Sequence, residues 1–536
     1  MKSRRPDLLH ATAFALQRPV PATRTRRALE LPLFGALGLA AVLAHAQENT
    51  ARPALTITPE ISLRQTATDN ARLSSNDRQA DLVTEVSPEL RLSSNAGRIK
   101  GFFDYTLHGL VYARHSSANT FQQSLSAAGV AEAVENWAFV DASASISQQN
   151  ISALGTQSAD TSLINPNRTE VASLRVSPYL RGRLGNFANY EARLAWQTTK
   201  TKDSTADSSS TAGSVRVSSD TAFSRLGWAF DYSHQIVDFA ETASTQSDRL
   251  TGTLLFAATP ELRFSVKAGQ ETNDLVSLNK ERYDTWGAGV AWSPSERTRI
   301  EADYQHRFFG SSNSVRIEHR MPRSVWSYTD TRDVSSDAGG SGNGNGSGSG
   351  NGNTARTVFD LLFSQFASIA PDPIQRAALV DAFLLSNGLS RTTLASGGFL
   401  TSAVSVQRRQ DLSFALLGVR STVIVSAFRN DARRLDAAST VADDLSNGNV
   451  LRQQGFSVNL SHRLTPLSAL SVAATLTKTS ATVGAQSTEL KSLIATFTSR
   501  LREHADLSVS ARRASFNSDI SPYTENAVTA NLRVQF

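Results

Sequence analysis

The chain has 536 residues, 40% of them hydrophobic and 19% charged, with nine histidines, two methionines and no cysteine. The missing cysteines exclude a disulfide framework or a thiolate metal site, and outside the N-terminus no apolar run reaches the roughly 18 residues of a membrane helix. The net charge of +6 is 54 bases against 48 acids, but residues 1–46 hold seven of the bases and two of the acids, leaving 47 against 46 in the remainder and no basic surface for nucleic acid.

The bases of that first segment are Lys2, Arg4, Arg5, Arg18, Arg24, Arg26 and Arg27, and its acids are Asp7 and Glu30. The Arg24-Thr25-Arg26-Arg27 stretch precedes an apolar core, Leu31–Leu43, and then Ala44-His45-Ala46 before Gln47. Basic region, short apolar core and small-x-small site, in that order, predict a cleaved secretory signal peptide over residues 1–46. The alternative, a membrane anchor, is disfavoured because the core would span only about 20 Å as a helix against a ~30 Å hydrocarbon layer.

From Leu55 onward the apolar residues return every second position. Leu55, Ile57, Ile61 and Leu63 begin the pattern, and Leu82, Val86, Leu90 and Leu92 continue it, as do Ile99, Phe103, Tyr105 and Leu107. Leu226, Trp228, Phe230 and Tyr232 oppose Gly227, Ala229 and Asp231, and Trp286, Ala288, Val290 and Trp292 oppose Gly287 and Gly289. A helix would bring its apolar positions back every three to four residues, so these segments are strands. Tight turns fall at 94–97, 133–136, 183–186, 219–223, 258–261, 294–297, 321–323, 417–421, 464–467 and 500–504. Most intervening connections are longer and rich in Ser, Thr, Asn and Asp. One rim of tight turns and one of longer loops predicts an all-β fold: a closed antiparallel transmembrane barrel of about 22 strands (range 18–24), both termini on the periplasmic side.

Residues 335–399 interrupt the alternation. A Gly/Asn/Ser-rich tract, 335–354, has linker composition. Thr357–Ile369 then carries Val358, Leu361, Leu362 and Phe366 at helical spacing. Asp372-Pro373 opens a second helix as cap and first residue, and Gly388 closes it after Val380, Phe383 and Leu384. Strand parity places this helical hairpin on the long-loop side, over the mouth or folded into the lumen as a plug. The domain reading is therefore signal peptide 1–46, barrel 47–334, insertion 335–399 and barrel 400–536. A soluble multi-domain β-protein is the rival. The last strand decides against it: Val528, Ala530, Leu532, Val534 and Phe536 alternate to an aromatic C-terminal residue. That ending resembles the signal by which outer-membrane barrels meet the barrel-assembly machinery, with Phe536 as the assembly residue.

Several stretches resemble the PEP-CTERM-system-associated outer-membrane β-barrel family. They are Ile57-Thr58-Pro59 with Thr68-Asp69-Asn70, Val140–Gln149, Val176–Leu180, Trp286–Pro294, Arg307-Phe308-Phe309-Gly310, Gln407-Arg408-Arg409 and Leu417-Gly418-Val419-Arg420. The resemblance runs over about residues 50–536. It implies a barrel in the outer membrane of a Gram-negative bacterium, associated with exporting or anchoring extracellular polysaccharide, with that polymer and its export apparatus as partners. It brings no catalytic residues. The Gly/Asn/Ser tract is longer than the family pattern.

No reactive constellation stands out. His108, His115, His234, His306, His319, His462 and His504 are scattered without metal-ligand spacing, and no nucleophile elbow or phosphate loop occurs. No cofactor, metal site or catalytic residue is predicted, and the chain reads as no enzyme. With the aromatic faces toward lipid, the inward positions include Arg193, Arg225, Asp231, Arg263, Lys267, Arg299, Glu301 and Asp303, together with Arg175, Arg181, Glu191, Glu271 and Arg307. Interleaved signs there suit a wall of cross-strand ion pairs and equally a wet conduit meeting sugar hydroxyls. Most aromatics fall on the lipid face, which leaves no visible stacking track for sugar rings. The leading expectation is a non-enzymatic, porin-like channel or export-associated barrel in outer-membrane lipid. The alternatives are a barrel that binds or anchors a surface polymer and, last, a barrel-embedded hydrolase.

Overall fold

The computed structural model describes residues 55–335 and 399–536, apart from 203–205, 224, 241–243, 278, 436–441 and 485. Between those two blocks it describes residues 356–357, 359, 362–363, 366, 373–386 and 394–396. The expected signal peptide, the tract at 336–354, and Asp372 and Gly388 as helix boundaries lie outside the described residues.

The wall begins with β1 (Leu55–Thr68), β2 (Asp81–Ala96), β3 (Ile99–Tyr112), β4 (Thr120–Val134), β5 (Ala138–Asn150), β6 (Arg168–Leu184), β7 (Ala188–Thr201) and β8 (Ser208–Phe223). It continues through β9 (Leu226–Phe239), β10 (Thr245–Ala257), β11 (Leu262–Asn273), β12 (Glu281–Ser295), β13 (Thr298–Arg307), β14 (Gly310–Met321) and β15 (Ser324–Ser335). The insertion holds a short ladder of β16 (Arg356–Thr357) with β17 (Leu394–Ser396), and the helix α1 (Pro373–Ser386). The wall resumes with β18 (Ser405–Leu417), β19 (Ser421–Arg434), β20 (Val450–Thr465), β21 (Ser468–Ala481), β22 (Ser487–Arg502), β23 (Ala505–Ser518) and β24 (Tyr523–Gln535).

Each wall strand pairs antiparallel with its neighbours in sequence, β15 pairs with β18, and β24 returns to β1, so 22 strands form one closed sheet. Closure leaves no edge of unpaired N–H and C=O groups, the condition lipid imposes on any β-structure that crosses it. At the seam, Glu60 to Thr68 face Gln535 to Ala527, and the Phe536 N–H donates to the Pro59 carbonyl at 2.9 Å. Tight reversals join all ten of the expected strand pairs on one rim, but β8 runs on to Phe223, so the turn expected at 219–223 falls between Phe223 and Leu226. In the turn between β2 and β3, Gly97 takes φ +68, a left-handed conformation that glycine adopts without strain. The other rim is mostly long, but β13 and β14 are joined by Phe308 and Phe309 alone.

Burial runs opposite to that of a soluble protein. Outward positions are exposed and apolar: Leu254 is 65% exposed, Trp286 57%, and Phe230 and Val528 56%. Inward positions are polar and buried, among them Glu85, Ser87, Thr199, Glu271, Gln453 and Glu525. Because side chains alternate sides along a strand, the period-two pattern in the sequence is itself the partition between lipid and lumen. No described helix is long and apolar enough to cross a membrane, a finding that does not bear on crossing by strands.

Candidate functional site: the barrel lumen

The insertion leaves the wall at the long-loop end, after Ser335, and returns at the same end, before Ser405. Yet its apolar side chains pack against the far end of the lumen. Phe359, Leu362 and Phe366 join Ala377, Val380 and Leu384 of α1 in one buried cluster with Ala415 of β18 and Ile424 of β19, and Phe102 of β3 packs on it. The Phe102 and Phe363 rings lie 6.4 Å apart, and the Arg376 guanidinium sits 4.7 Å from the Phe363 ring centre. Phe102, Ala415 and Ile424 each lie two or three residues from a tight turn. Ser405 and Ala415 are separated by roughly 33 Å along the strand, so the helical insert reaches through the lumen to its periplasmic half. Of the two expected placements, over the mouth or inside, the structure has the second.

The sequence could not choose between them, because the contacts that decide are long-range. Asp381 of α1 sits beside an ion cluster on the seam: Arg91 holds Glu89 at 2.6 Å and Glu60 and Asp104 at 3.4 Å, and Arg533 reaches Glu60 at 2.9 Å and Glu89 at 3.2 Å. Burial pushes the Asp381 carboxyl up to about 7. Glu89 and Glu60 add to the rise, while Arg91 and Arg533 oppose it.

The outer mouth is crossed by loops. The segment 151–167, between β5 and β6, carries Asp160 to the inner wall of β1 and β23, where it bridges Arg64 (2.5 Å) and Arg512. Arg512 also grips Glu525 through two bonds of 3.1 and 2.9 Å, and Arg64 reaches Glu85 at 3.3 Å. Burial alone would raise the Asp160 carboxyl, but the two guanidiniums and the Ser162 N–H outweigh it and hold it far below the usual carboxylate range. Around this clasp, Leu73 and Leu163 pack with Phe516 and Tyr523, and Ala153, Phe399, Leu445 and Leu451 form a second apolar knot. Asp444, whose carboxyl burial raises, accepts from the Ser152 hydroxyl at 2.8 Å and the Ala153 N–H at 2.6 Å and ties this loop to the segment before β20.

The inward residues expected from sequence fall into separate pairs rather than one site. Lys267 pairs with Asp303, Asp231 with Arg216 at 3.1 Å, Arg299 with Glu301 at 2.6 Å, and Arg193 with Asp141 at 2.6 Å and Glu191 at 3.2 Å. Arg263 is exposed near the tight-turn end. Arg225 corrects the expectation: it lies in the turn before β9, exposed, because the strand starts one residue later. Glu271 and Arg307, 1% and 8% exposed, form a deeply buried wall pair, with 2.6 and 3.0 Å bonds and Asp333 as a third member. Alternation alone missed the Asp160 and Glu60 clusters, since their partners come from a loop and from opposite chain ends.

Two inward aromatics were also missed. Phe139 and Tyr179 stack at 5.1 Å, but Arg181 lies 4.3 Å over the first ring and Arg193 4.0 Å over the second, so the outer faces are covered. Among the described residues no group of three or more His, Asp or Glu could hold a metal ion.

A closed ring of 22 strands, greasy outside and polar inside, with loops over one mouth and a helical insert within, defines a transmembrane β-barrel of the outer-membrane type. No family model matches the chain, and no curated protein matches it. Among solved structures it is similar to the siderophore receptor PirA from Pseudomonas aeruginosa, at 9% identity over 91% of this chain and 81% of that one, with TM-score 0.39. It is also similar to the FrpB iron transporter from Neisseria meningitidis, at 8% identity over 89% and 81%, TM-score 0.45. The outer membrane protein OpdK from P. aeruginosa aligns at 8% identity over 90% and 99%, TM-score 0.32. Likenesses this distant carry no argument here, and the class rests on the chain's own closed sheet.

Proposed function

We propose that this protein is a non-enzymatic conduit of the Gram-negative outer membrane, exported by a cleaved signal peptide, whose lumen is gated from within by the helical insert. The carrying observation is the packing of the insert on Phe102, Ala415 and Ile424, deep below the rim from which it enters. A loop serving only surface recognition has no need to reach the periplasmic half of the lumen. At 22 strands the ring is wide enough to need a plug or to conduct when the plug moves. The cargo we assign is extracellular polysaccharide, in keeping with the family resemblance. The polar wall supports that class: hydroxyls, amides and paired charges exchange weak hydrogen bonds with a hydrated polymer without trapping it.

Planar-bilayer recording of the full chain and of a variant lacking residues 336–398 tests the gate. The full chain should conduct rarely and the deletion should give a large, steady conductance. Silence in both refutes a conduit. It would favour the second reading, a surface-anchoring barrel, for which the loop clasp at Asp160 speaks. Disrupting the gene and measuring secreted against periplasmic polysaccharide tests the cargo, and unchanged export and capsule refute it.

A further inference from the structure

The outward face is not apolar to the top. From the tight-turn end, β18 presents Leu416, Phe414 and Leu412, then Gln410 and Arg408. On β19 the order is Val423, Val425 and Ala427, then Arg429, Asp431 and Arg433. On β20 it is Leu460, Val458 and Phe456, then Gln454 and Arg452, and on β15 it is Trp326 and Tyr328, then Asp330 and Arg332. Five guanidiniums on four adjacent strands therefore stand just above the greasy band, against two carboxylates, for a local charge of +3.

The acids do not neutralise the group. Asp330 is held by Arg408 through bonds of 3.1 and 2.7 Å, and Asp431 is shared by Arg429 at 3.0 Å and Arg452 at 2.7 Å. Arg332 makes hydrogen bonds to Ser311, and neither it nor Arg433 has an acidic partner among the described residues. Arg332 and Arg408 are directly opposed in the ladder, and Arg332 also feels the charge of Arg433. Like charges facing each other across a strand pair destabilise a sheet unless an anion lies between them. The feature is local: at the same height across β9 and β10, the outward charge is Asp248, satisfied by His234 at 2.7 Å and Tyr232 at 3.1 Å.

We infer that this face binds the phosphorylated headgroup of an anionic outer-leaflet glycolipid, with phosphates between Arg332, Arg408 and Arg433 and acyl chains lying down Leu412, Phe456 and Leu460. Planar guanidinium forks suit phosphate oxygens. The apolar floor directly beneath selects an amphiphile over a free anion. The assignment rests on the barrel spanning the outer membrane and is independent of what the lumen carries.

The test is reconstitution of the full chain in neutral phosphatidylcholine nanodiscs, addition of bis-phosphorylated lipid A or its dephosphorylated counterpart, and native mass spectrometry of retained lipid. The wild type should retain the phosphorylated form at least tenfold more. Arg332→Gln/Arg433→Gln, which leaves both aspartate pairs intact, should erase most of that preference, and adding Arg408→Gln should erase the rest. Arg282→Gln, on the outward face of β12, should change nothing. Equal retention of the two lipids, or an undiminished preference in the double variant, overturns the site. Complete displacement by millimolar inorganic phosphate overturns the lipid assignment in favour of a free anion. A chain that does not insert into the bilayer at all overturns the membrane reading and this proposal with it, an outcome seen before any lipid is added.

Discussion

Replacing Asp160 by Asn removes one charge from the clasp that holds the loop 151–167 against the inner wall. Deleting one partner of a buried ion pair typically costs about 3–5 kcal/mol, because a desolvated charge is left alone. Here neither guanidinium is orphaned. Arg512 keeps both bonds to Glu525 at 2.9 and 3.1 Å, and Arg64 keeps Glu85 at 3.3 Å. The asparagine carbonyl can still accept from the Ser162 N–H, which lies 2.9 Å from Asp160 Oδ1. What is lost is the charge-assisted share of two contacts, about 2–3 kcal/mol in total. At about 1.4 kcal/mol per decade, the population with the loop released should rise roughly 30- to 150-fold. Hydrogen exchange of the loop amides in detergent-solubilised barrel reads this directly, with the amides of β9 and β10 as an internal reference. An exchange rate within threefold of wild type would refute the claim that the clasp holds the loop. The pH dependence gives a second check. A depressed carboxyl stabilises above its unfolded value and loses that contribution only as pH falls through the folded one, so the wild-type clasp should hold unchanged from pH 5 to 9.

Asp381 should behave in the opposite sense. With its carboxyl raised from 3.8 to about 7, the docked helix binds a proton that a released helix does not, so docking weakens as pH climbs through that interval and is weakest above it. Bilayer openings should therefore be more frequent at pH 8 than at pH 5, and Asp381→Asn should flatten the profile at the low-pH level; an unaltered profile in the variant removes Asp381 from the gate. Phe230→Arg, placed on the lipid face where the wild-type ring is 56% exposed, should cost about 2–4 kcal/mol in denaturant titrations of the lipid-embedded barrel. A neutral effect would mean that this face does not meet hydrocarbon. Phe536 is 74% exposed and its side chain adds little to the folded wall. Phe536→Ser should lower the amount of assembled barrel severalfold while leaving the denaturation midpoint of the assembled fraction in place, and equal yields would deny it an assembly role.

What the sequence determined by itself is everything that a two-residue period can encode. Leu226 to Tyr232 or Trp286 to Trp292 show which positions face lipid, and short turns such as the one at Gly97 show where the chain reverses. Together these give strand count, parity and the side of each connection. β8 is faint in its own pattern, because Ser208–Val217 is mostly small and polar, and it is the ladder with β7 and β9 that places it. The second helix of the insertion was legible from its own periodicity, and α1 begins at Pro373, the expected first helical residue. The sequence could not reveal where the insertion goes, because Phe102 lies hundreds of residues from Ala415 and Ile424, and only closure of the sheet brings them around one lumen. The same holds for Asp160 between Arg64 and Arg512, and for Arg332 opposite Arg408, whose alignment depends on the register of β15 with β18 across the whole insertion. Local periodicity sets which way a side chain points; what it meets there is decided by pairing between distant segments, a property of the closed ring and of no single stretch of chain.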